Sequence, residues 1–241
     1  MPTLFISDLH LCASQPKITE NFFYFLEHIA IKADALYILG DFFEYYVGDD
    51  DNSPFLQSII AVLAKASDQG LPIFLMRGNR DFLMNKRFAK RAHVTLLRDP
   101  TVITLYQQRT LLMHGDSLCT LDRAHQRFRK LTNNRLARKL FLWLPLSLRQ
   151  KIGNHFRWVS ETRHKLQSSE SMDVYEKTVL QKMKKYRTPR LIHGHTHQPA
   201  IHALPEGKER IVLAAWHDRG NYLRVSAAGN AALVYFDSKT R

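Results

Sequence analysis

Cysteine is scarce in this chain of 241 residues, which has only Cys12 and Cys119, far apart and outside any C-x-x-C pattern. This scarcity argues against a disulfide framework and a structural zinc cluster, and it favours a reducing cytosol. The N-terminus lacks the pattern of a secretory leader, so we expect no signal peptide. The apolar run at 141–148 is broken by Pro145 and is far shorter than the roughly 20 residues of a spanning helix, so we expect no bilayer crossing.

Acidic residues are nearly missing from one segment. Between residues 123 and 165 there are twelve Lys or Arg residues and a single acid, Glu161. This segment accounts for most of the formal net charge of +13. Such a charge predicts attraction to polyanions, which include nucleic acid, anionic lipid and phosphorylated ligands.

Short apolar runs alternate with helical patterns in the first half, which indicates an α/β fold. The runs "TLFIS", "ALYIL" and "IFLM" predict strands, with crossover helices over 19–32 and from Ser53 to about Gly70. Residues 102–113 predict a hairpin with its turn at 107–109, and "RIVLAAW", "YLRVS" and "ALVYF" predict antiparallel strands near the end. We expect one domain over residues 1–241, with a basic helical insertion at about 121–186.

A polar cluster follows each of five predicted strands. The clusters are Asp8-Leu9-His10, Gly40-Asp41, Gly78-Asn79-Arg80-Asp81, His114-Gly115-Asp116 and Gly194-His195-Thr196-His197. Residues beyond the carboxyl ends of strands in an α/β sheet converge on one crevice, so we expect these clusters to meet. Each cluster taken singly could be a helix cap, a turn or an interior histidine. The set indicates a site, because independent structural causes would rarely place such residues after five strands in turn.

The side-chain types in these clusters suit a pair of divalent metal ions. Two carboxylates, one amide oxygen and four imidazoles form a mixed oxygen and nitrogen set, which suits ions such as manganese. If one carboxylate is shared, these side chains supply four bonds to each ion and leave positions for water and a phosphate oxygen. Two ions about 3.5 to 4 Å apart can generate hydroxide at neutral pH and promote in-line displacement at phosphorus. The residues therefore predict hydrolysis of a phosphoester or phosphoanhydride.

The motifs D-x-H, G-D, G-N-x-[DE], H-G-D and G-H-x-H, in this order over residues 8–197, resemble those of calcineurin-like metallophosphoesterases. The resemblance implies a two-sheet sandwich flanked by helices, with the helical basic insertion acting as a lid, and two Mn²⁺ ions per chain. It implies that one ion is held by Asp8, His10, Asp41 and His197. It implies that the other is held by Asp41, Asn79, His114 and His195.

Arg80 narrows the expected substrate. Most members of that family carry a histidine at this place, which can protonate a leaving oxygen, whereas an arginine can only stabilise charge. An alkoxide leaving group needs a proton, but a phosphate that leaves from a pyrophosphate needs little help. We therefore expect a phosphoanhydride substrate, with Asn79, Arg80 and His195 as catalytic residues that also contact it.

The stretches "SDLHL", "ILGDFFEYYVGDDD" and "GNRDFL" are similar to family members that cleave UDP-2,3-diacylglucosamine in lipid A synthesis. This likeness implies attack at the α-phosphorus, with UMP and 2,3-diacylglucosamine 1-phosphate as products. It also implies substrate contacts from the insertion, at Asp122, Ser160, His164 and Gln167. Gln167 stands where the family has a lysine, and His164 where asparagine is usual. Asp122 could instead cap a helix that begins at Arg123, and Ser160 could be a solvated helix residue.

The basic insertion contains an apolar stripe at helical spacing, formed by Leu136, Leu140, Phe141 and Leu144. Such a segment can lie on an anionic membrane surface, or it can pack on the sandwich as an ordinary amphipathic helix. We expect an enzyme on the cytoplasmic face of the inner membrane, peripherally bound, with an acylated UDP-sugar as substrate and neither nucleic acid nor protein as partner. The acids at 49–51 are interpreted as a solvated loop.

Two other functions fit parts of the sequence. A dinuclear-metal phosphodiesterase or nuclease would also use a basic segment, to follow a phosphate backbone. Arg80 and the shortage of an aromatic and basic stacking surface argue against it. A non-catalytic scaffold of this fold should have lost ligands, and none is missing.

Overall fold

The computed structural model describes residues 1–155, 174–217 and 219–238, which form two stacked β-sheets with helices on both outer faces. The strands are β1 (Thr3–Ile6), β2 (Ala35–Leu39), β3 (Ile73–Met76), β4 (Thr95–Leu97), β5 (Thr101–Leu105), β6 (Gln108–Met113), β7 (Arg190–His193), β8 (Ala200–Leu204), β9 (Lys208–Val212), β10 (Gly220–Val225) and β11 (Ala231–Phe236). The helices are α1 (Pro16–Tyr24), α2 (Pro54–Asp68), α3 (Lys86–Arg91), α4 (Arg123–Asn133), α5 (Arg135–Leu142), α6 (described over 146–155) and α7 (Glu176–Tyr186). The predicted α/β sandwich is confirmed.

The first sheet has the strand order β11-β10-β1-β2-β3-β4. In it β1 to β4 run parallel, and β10 pairs antiparallel with both β1 and β11. The second sheet has the order β5-β6-β7-β9-β8, with β6, β7 and β9 parallel and both edge strands antiparallel. The second half of the chain therefore mixes parallel strands with the antiparallel ones that were predicted.

Alternating side chains of the central strands fill two layers of core. On β1, Phe5 lies in the cluster between the sheets, together with Leu112 and Ile192 of the second sheet. Its neighbours Leu4 and Ile6 lie in the cluster on the outer face, which α1 and α2 cover. Strands buried on both faces have continuous apolar sequences, which is why these strands could be predicted.

The helix predicted over 19–32 begins earlier, at Pro16, and is not one regular α-helix. After α1 the chain makes a π-helical turn (Phe25–Ile29) and a 3₁₀ turn (Ala30–Lys32). α2 begins where predicted, because the Ser53 side chain accepts a hydrogen bond from a backbone N–H of its first turn. Both segments cross between parallel strands of the first sheet, as expected.

Ion pairs hold α4 and α6 against loops of the sandwich. On α4, Arg129 Nε donates a hydrogen bond to Asp116 Oδ2 (2.8 Å), and its Nη2 lies 3.8 Å from Asp99 Oδ2. On α6, Arg149 is 2% exposed and forms an ion pair with Asp50, and this contact lowers the pKa of the Asp50 carboxyl. The basic side chains Arg129 and Arg149 of the insertion therefore hold it against the sandwich.

The last part of the 121–186 segment has another role. Val179 and Met183 of α7 pack with Leu111, Met113 and Leu191 on the outer face of the second sheet. α7 thus serves as an outer helix of the sandwich and connects the parallel strands β6 and β7. Among the helices of the described residues, none combines the length and the apolarity needed to span a bilayer.

The predicted apolar stripe divides into two parts. Leu136 and Leu140 are 65% and 51% exposed, whereas Phe141 packs against the core cluster under the outer helices of the first sheet. Leu144 lies beyond the end of α5. Trp143, which is 81% exposed, extends the exposed part.

The predicted position of the hairpin turn was wrong. The hairpin turn lies at Tyr106 and Gln107, both with positive φ, because Leu105 pairs with Gln108. The turn predicted at 107–109 therefore lies too far along the chain, because residues 108 and 109 belong to β6.

The acids at 49–51 do not form a simple solvated loop. Asp49 accepts hydrogen bonds from the backbone N–H groups of Asn85 and Phe88 (both 3.0 Å) at the start of α3. Asp50 forms the ion pair with Arg149. These acids stabilise a helix start and dock the insertion.

Candidate metal centre

The side chains predicted as metal ligands lie together where five strands end. These strands are β1, β2 and β3 of the first sheet and β6 and β7 of the second. The backbone N–H of His195 donates to Asp8 Oδ2 (2.9 Å), and His114 Nδ1 lies 2.9 Å from the Leu39 carbonyl oxygen, so both contacts join the two sheets. The structure brings these residues together, as the strand-end argument required.

Six of the predicted ligands form two groups of three. In each group the ligand atoms lie within 4.8 Å of one another; the groups are Asp8, His10 and His197, and Asp41, His114 and His195. Asn79 lies beside the second group, with its Oδ1 3.0 Å from His114 Nε2. The shared use of Asp41 by both ions stays a prediction.

Backbone strain is concentrated at these residues. Five of them have left-handed backbone, with φ values of 53° at Asp8, 52° at His10, 48° at Asp41, 71° at His195 and 56° at His197. Such a conformation costs a non-glycine residue about 1 to 3 kcal/mol. Hydrogen bonds between the loops enforce it. The Asp8 amide donates to the Gly40 carbonyl oxygen at 3.1 Å. The His10 amide donates to that of Asp41, also at 3.1 Å.

Asp8 is a fully buried carboxylate with one oxygen open to a cation. Its Oδ2 accepts hydrogen bonds from the Ser7 hydroxyl (2.6 Å) and the His195 amide (2.9 Å). Its Oδ1 has no hydrogen-bond partner among the described residues and lies 3.4 Å from His197 Nε2. Burial opposes ionisation, but His197 lowers the pKa of Asp8 below its usual range.

The buried carboxylates also favour positive charge in the second group. Burial alone would lower the pKa of His114, yet the negative charges of Asp41 and Asp8 raise it to about 9. For His195, burial and the charge of His114 lower the pKa well below its usual value. His195 is therefore neutral, which is the state in which an imidazole binds a metal ion.

Gly78 and Asp81 have structural roles in the Gly-Asn-Arg-Asp cluster. Asp81 accepts hydrogen bonds from the backbone N–H groups of Gly78 (2.6 Å) and Phe42 (2.8 Å), which ties this loop to the one after β2. A Cβ atom at Gly78 would collide with Asp41. Burial and the charge of Asp41 raise the pKa of Asp81 to about 6.

Asn79 and Arg80 are the members of this cluster that face the centre. Asn79 is oriented by the contact with His114. The Arg80 guanidinium forms an ion pair with Glu44, and its Nε lies 3.8 Å from Asp41 Oδ2. An arginine held between two carboxylates supplies a fixed positive charge beside the ligand groups.

Asp122 caps α4, the structural alternative considered from the sequence. Its Oδ1 accepts a hydrogen bond from the His125 amide (2.9 Å). A substrate contact of Asp122 stays a prediction. The predicted contacts at Ser160, His164 and Gln167 lie outside the described residues.

Two polar residues of the centre were not identified from the sequence. Glu44 is 9% exposed and lies inside the apolar run "FFEYY", where a buried acid is unusual. His125 follows the cap residue Asp122 by three positions, and its ring lies 5.1 Å from that of His195. Burial lowers the pKa of His125, and its Nε2 has no hydrogen-bond partner among the described residues. The position of His125, three residues after the cap residue Asp122, was the feature of the sequence that could have identified it.

The donor set fits divalent metal ions. Each group combines one carboxylate with two imidazoles, a mixture suited to borderline ions. The buried Asp8 Oδ1 is a polar atom that a cation would satisfy. Two such groups side by side are the arrangement used for displacement at phosphorus.

Comparisons with known proteins agree with this geometry. The model of the calcineurin-like phosphoesterase family matches residues 1–199. A "UDP-2,3-diacylglucosamine hydrolase" of Coxiella burnetii is 50% identical over 237 residues, 97% of each chain. One of Pectobacterium carotovorum is 46% identical over 239 residues, 98% of this chain and 99% of that protein. A solved archaeal phosphodiesterase shares the fold, with a TM-score of 0.52 at 11% identity, covering 98% of this chain and 100% of that one.

Proposed function

Because the chain belongs to the calcineurin-like phosphoesterase family, we propose that it hydrolyses the pyrophosphate bond of UDP-2,3-diacylglucosamine, a step of lipid A biosynthesis. Water attacks the α-phosphorus, the bond from that phosphorus to the bridging oxygen breaks, and the products are UMP and 2,3-diacylglucosamine 1-phosphate. The observation that carries this proposal is the pair of ligand groups with Arg80, a cation that cannot act as an acid, beside them.

Two Mn²⁺ ions are the proposed cofactors. One would be held by Asp8, His10, Asp41 and His197, and the other by Asp41, Asn79, His114 and His195. When bound, such ions lower the pKa of water and stabilise charge on phosphoryl oxygens.

The protein's own side chains orient the substrate. Arg80 contacts the pyrophosphate and stabilises the charge of the departing phosphate, which needs no proton. Asn79 and His195 hold the reacting phosphate in line for attack. Asp122, with Ser160, His164 and Gln167 of the insertion, contacts the remainder of the substrate.

Metal removal tests the chemistry. Exhaustive chelation is expected to abolish hydrolysis of UDP-2,3-diacylglucosamine, and added Mn²⁺ is expected to restore it. In ¹⁸O water the label is expected in UMP, as attack at the α-phosphorus requires. Activity that survives complete metal removal, or label in the sugar phosphate, would contradict the proposal. Release of nucleotides from DNA or RNA in place of this reaction would favour the nuclease.

The acylated substrate and the basic insertion support a second part of the proposal. We infer that the enzyme is cytoplasmic and binds peripherally to the anionic surface of the inner membrane. The exposed side chains Leu136, Leu140 and Trp143 lie near the exposed cations Arg135 and Lys139. Apolar side chains that enter the interface beside cations are the pattern of an interfacial helix.

Vesicle binding tests the membrane surface. Each large apolar side chain contributes about 1.5 to 3 kcal/mol when it leaves water. Leu140→Ser with Trp143→Ser is therefore expected to weaken binding to anionic vesicles at least about tenfold, measured by sedimentation. Tyr235→Ser, which changes an exposed aromatic residue on β11, is the matched control. Equal binding by both variants would exclude this surface.

A further inference from the structure

We propose that Glu44 is a positioning residue that couples a metal ligand to the pyrophosphate contact, an inference that rests on the function proposed above. One carboxylate oxygen faces His10 and the other faces Arg80. No role for Glu44 in holding an ion is needed, because it acts through these two side chains.

The contact with His10 sets which ring nitrogen faces the centre. Glu44 Oε2 lies 3.2 Å from His10 Nδ1, and His10 Nε2 lies 3.4 Å from His197 Nε2. A histidine that binds a metal ion commonly donates its other ring N–H to a carboxylate, which fixes the tautomer and the ring orientation. His10 Nδ1 is buried and has no hydrogen-bond partner among the described residues, and Glu44 Oε2 is the carboxylate oxygen placed to accept its proton when the ring aligns, which leaves the Nε2 lone pair for the ion of the first group.

The contact with Arg80 sets the direction of the guanidinium. Glu44 Oε1 forms an ion pair with Nη1, while Nε lies 3.8 Å from Asp41 Oδ2. The Arg80 side chain is only 16% exposed. A planar guanidinium held at Nη1 by one carboxylate, with a second carboxylate near Nε, has a defined orientation towards a phosphate.

The backbone places Glu44 for both contacts. Its amide donates a hydrogen bond to the Leu11 carbonyl oxygen (3.1 Å), and Leu11 forms a bridge with Phe43. Leu11 directly follows His10, so the loops that carry the acid and the ligand are joined. Because a buried carboxylate without partners is strongly unfavourable, the two cationic or proton-donating neighbours explain why an acid lies here.

Metal titration tests the contact with His10 without any substrate. Glu44→Gln keeps the size of the side chain and removes its charge. We expect it to weaken the affinity for one of the two Mn²⁺ ions by about 10- to 100-fold and to leave the affinity for the other unchanged. Calorimetry and electron paramagnetic resonance measure both affinities. Glu27→Gln, at an exposed acid that pairs with Lys65 on the outer surface, is the matched control. Unchanged affinity for both ions, or an equal loss at both with a lower apo melting temperature, would overturn the proposal.

A double-mutant cycle tests the contact with Arg80. At saturating Mn²⁺, the loss in kcat/KM caused by Glu44→Gln is expected to be smaller in an Arg80→Gln background than in the wild type, because the guanidinium it orients is gone. Arg80→Gln alone is expected to bind both ions with wild-type affinity. Additive losses would exclude the coupling. If the wild type does not hydrolyse UDP-2,3-diacylglucosamine, the proposed function fails, while the metal titration still decides the contact with His10.

Discussion

Asp41→Asn is expected to lower kcat/KM for UDP-2,3-diacylglucosamine by about 10³-fold or more, since losing one group that stabilises charge in a transition state already costs about 10² to 10³. Asp41 belongs to the second ligand group, with Oδ1 3.6 Å from His114 Nε2, and is the ligand proposed to serve both ions. An amide keeps the shape of the side chain but has no charge to hold a cation. Steady-state kinetics at saturating Mn²⁺ measures the loss.

Thermal unfolding separates this effect from damage to the fold. The apo variant is expected to unfold cooperatively close to the wild-type temperature, because removing the charge of Asp41 relieves its repulsion of the buried Asp81 carboxyl but also removes its attraction for His114. The rise in melting temperature on adding Mn²⁺ is expected to shrink. Asp51→Asn, on the loop before α2, is the control. A variant that keeps a tenth of the wild-type activity would rule out Asp41 as a shared ligand.

Arg80→His is expected to lower cleavage of the pyrophosphate by about 10²-fold, because a neutral imidazole cannot replace a guanidinium that stabilises charge on the departing phosphate. The structure supports this role of Arg80 in stabilising charge, since Glu44 holds its guanidinium beside Asp41. Cleavage of an alkyl phosphoester is expected to fall less, because its leaving group can use a proton from the new histidine. The measurement compares kcat/KM for both substrates.

Arg80→Lys is the matched variant for this experiment. It keeps the charge but not the planar fork, so an intermediate loss is expected. Turnover of the pyrophosphate by Arg80→His at the wild-type rate would remove the explanation given for this motif. An equal loss on both substrates would show that the role of Arg80 does not depend on the leaving group.

The central strands and the gathering of the polar clusters could be predicted because both depend on local patterns. A strand buried on both faces is apolar throughout, and the polar residues after it mark its carboxyl end. Weaker local patterns were missed: β4, β8 and α3 are short, and β8 alternates between half-buried and exposed residues. Short edge elements bury too little apolar surface to leave a clear signal.

The sequence by itself determined the α/β pattern of strands and helices and the seven side chains predicted to be ligands, since periodic burial and residue type are properties of single segments. Only the tertiary structure decided what surrounds those side chains. It brought Glu44 to both His10 and Arg80, paired Asp50 with Arg149, and divided the apolar stripe of α5. Such contacts join residues far apart in the chain, and their partners are set by how loops meet when the two sheets pack together.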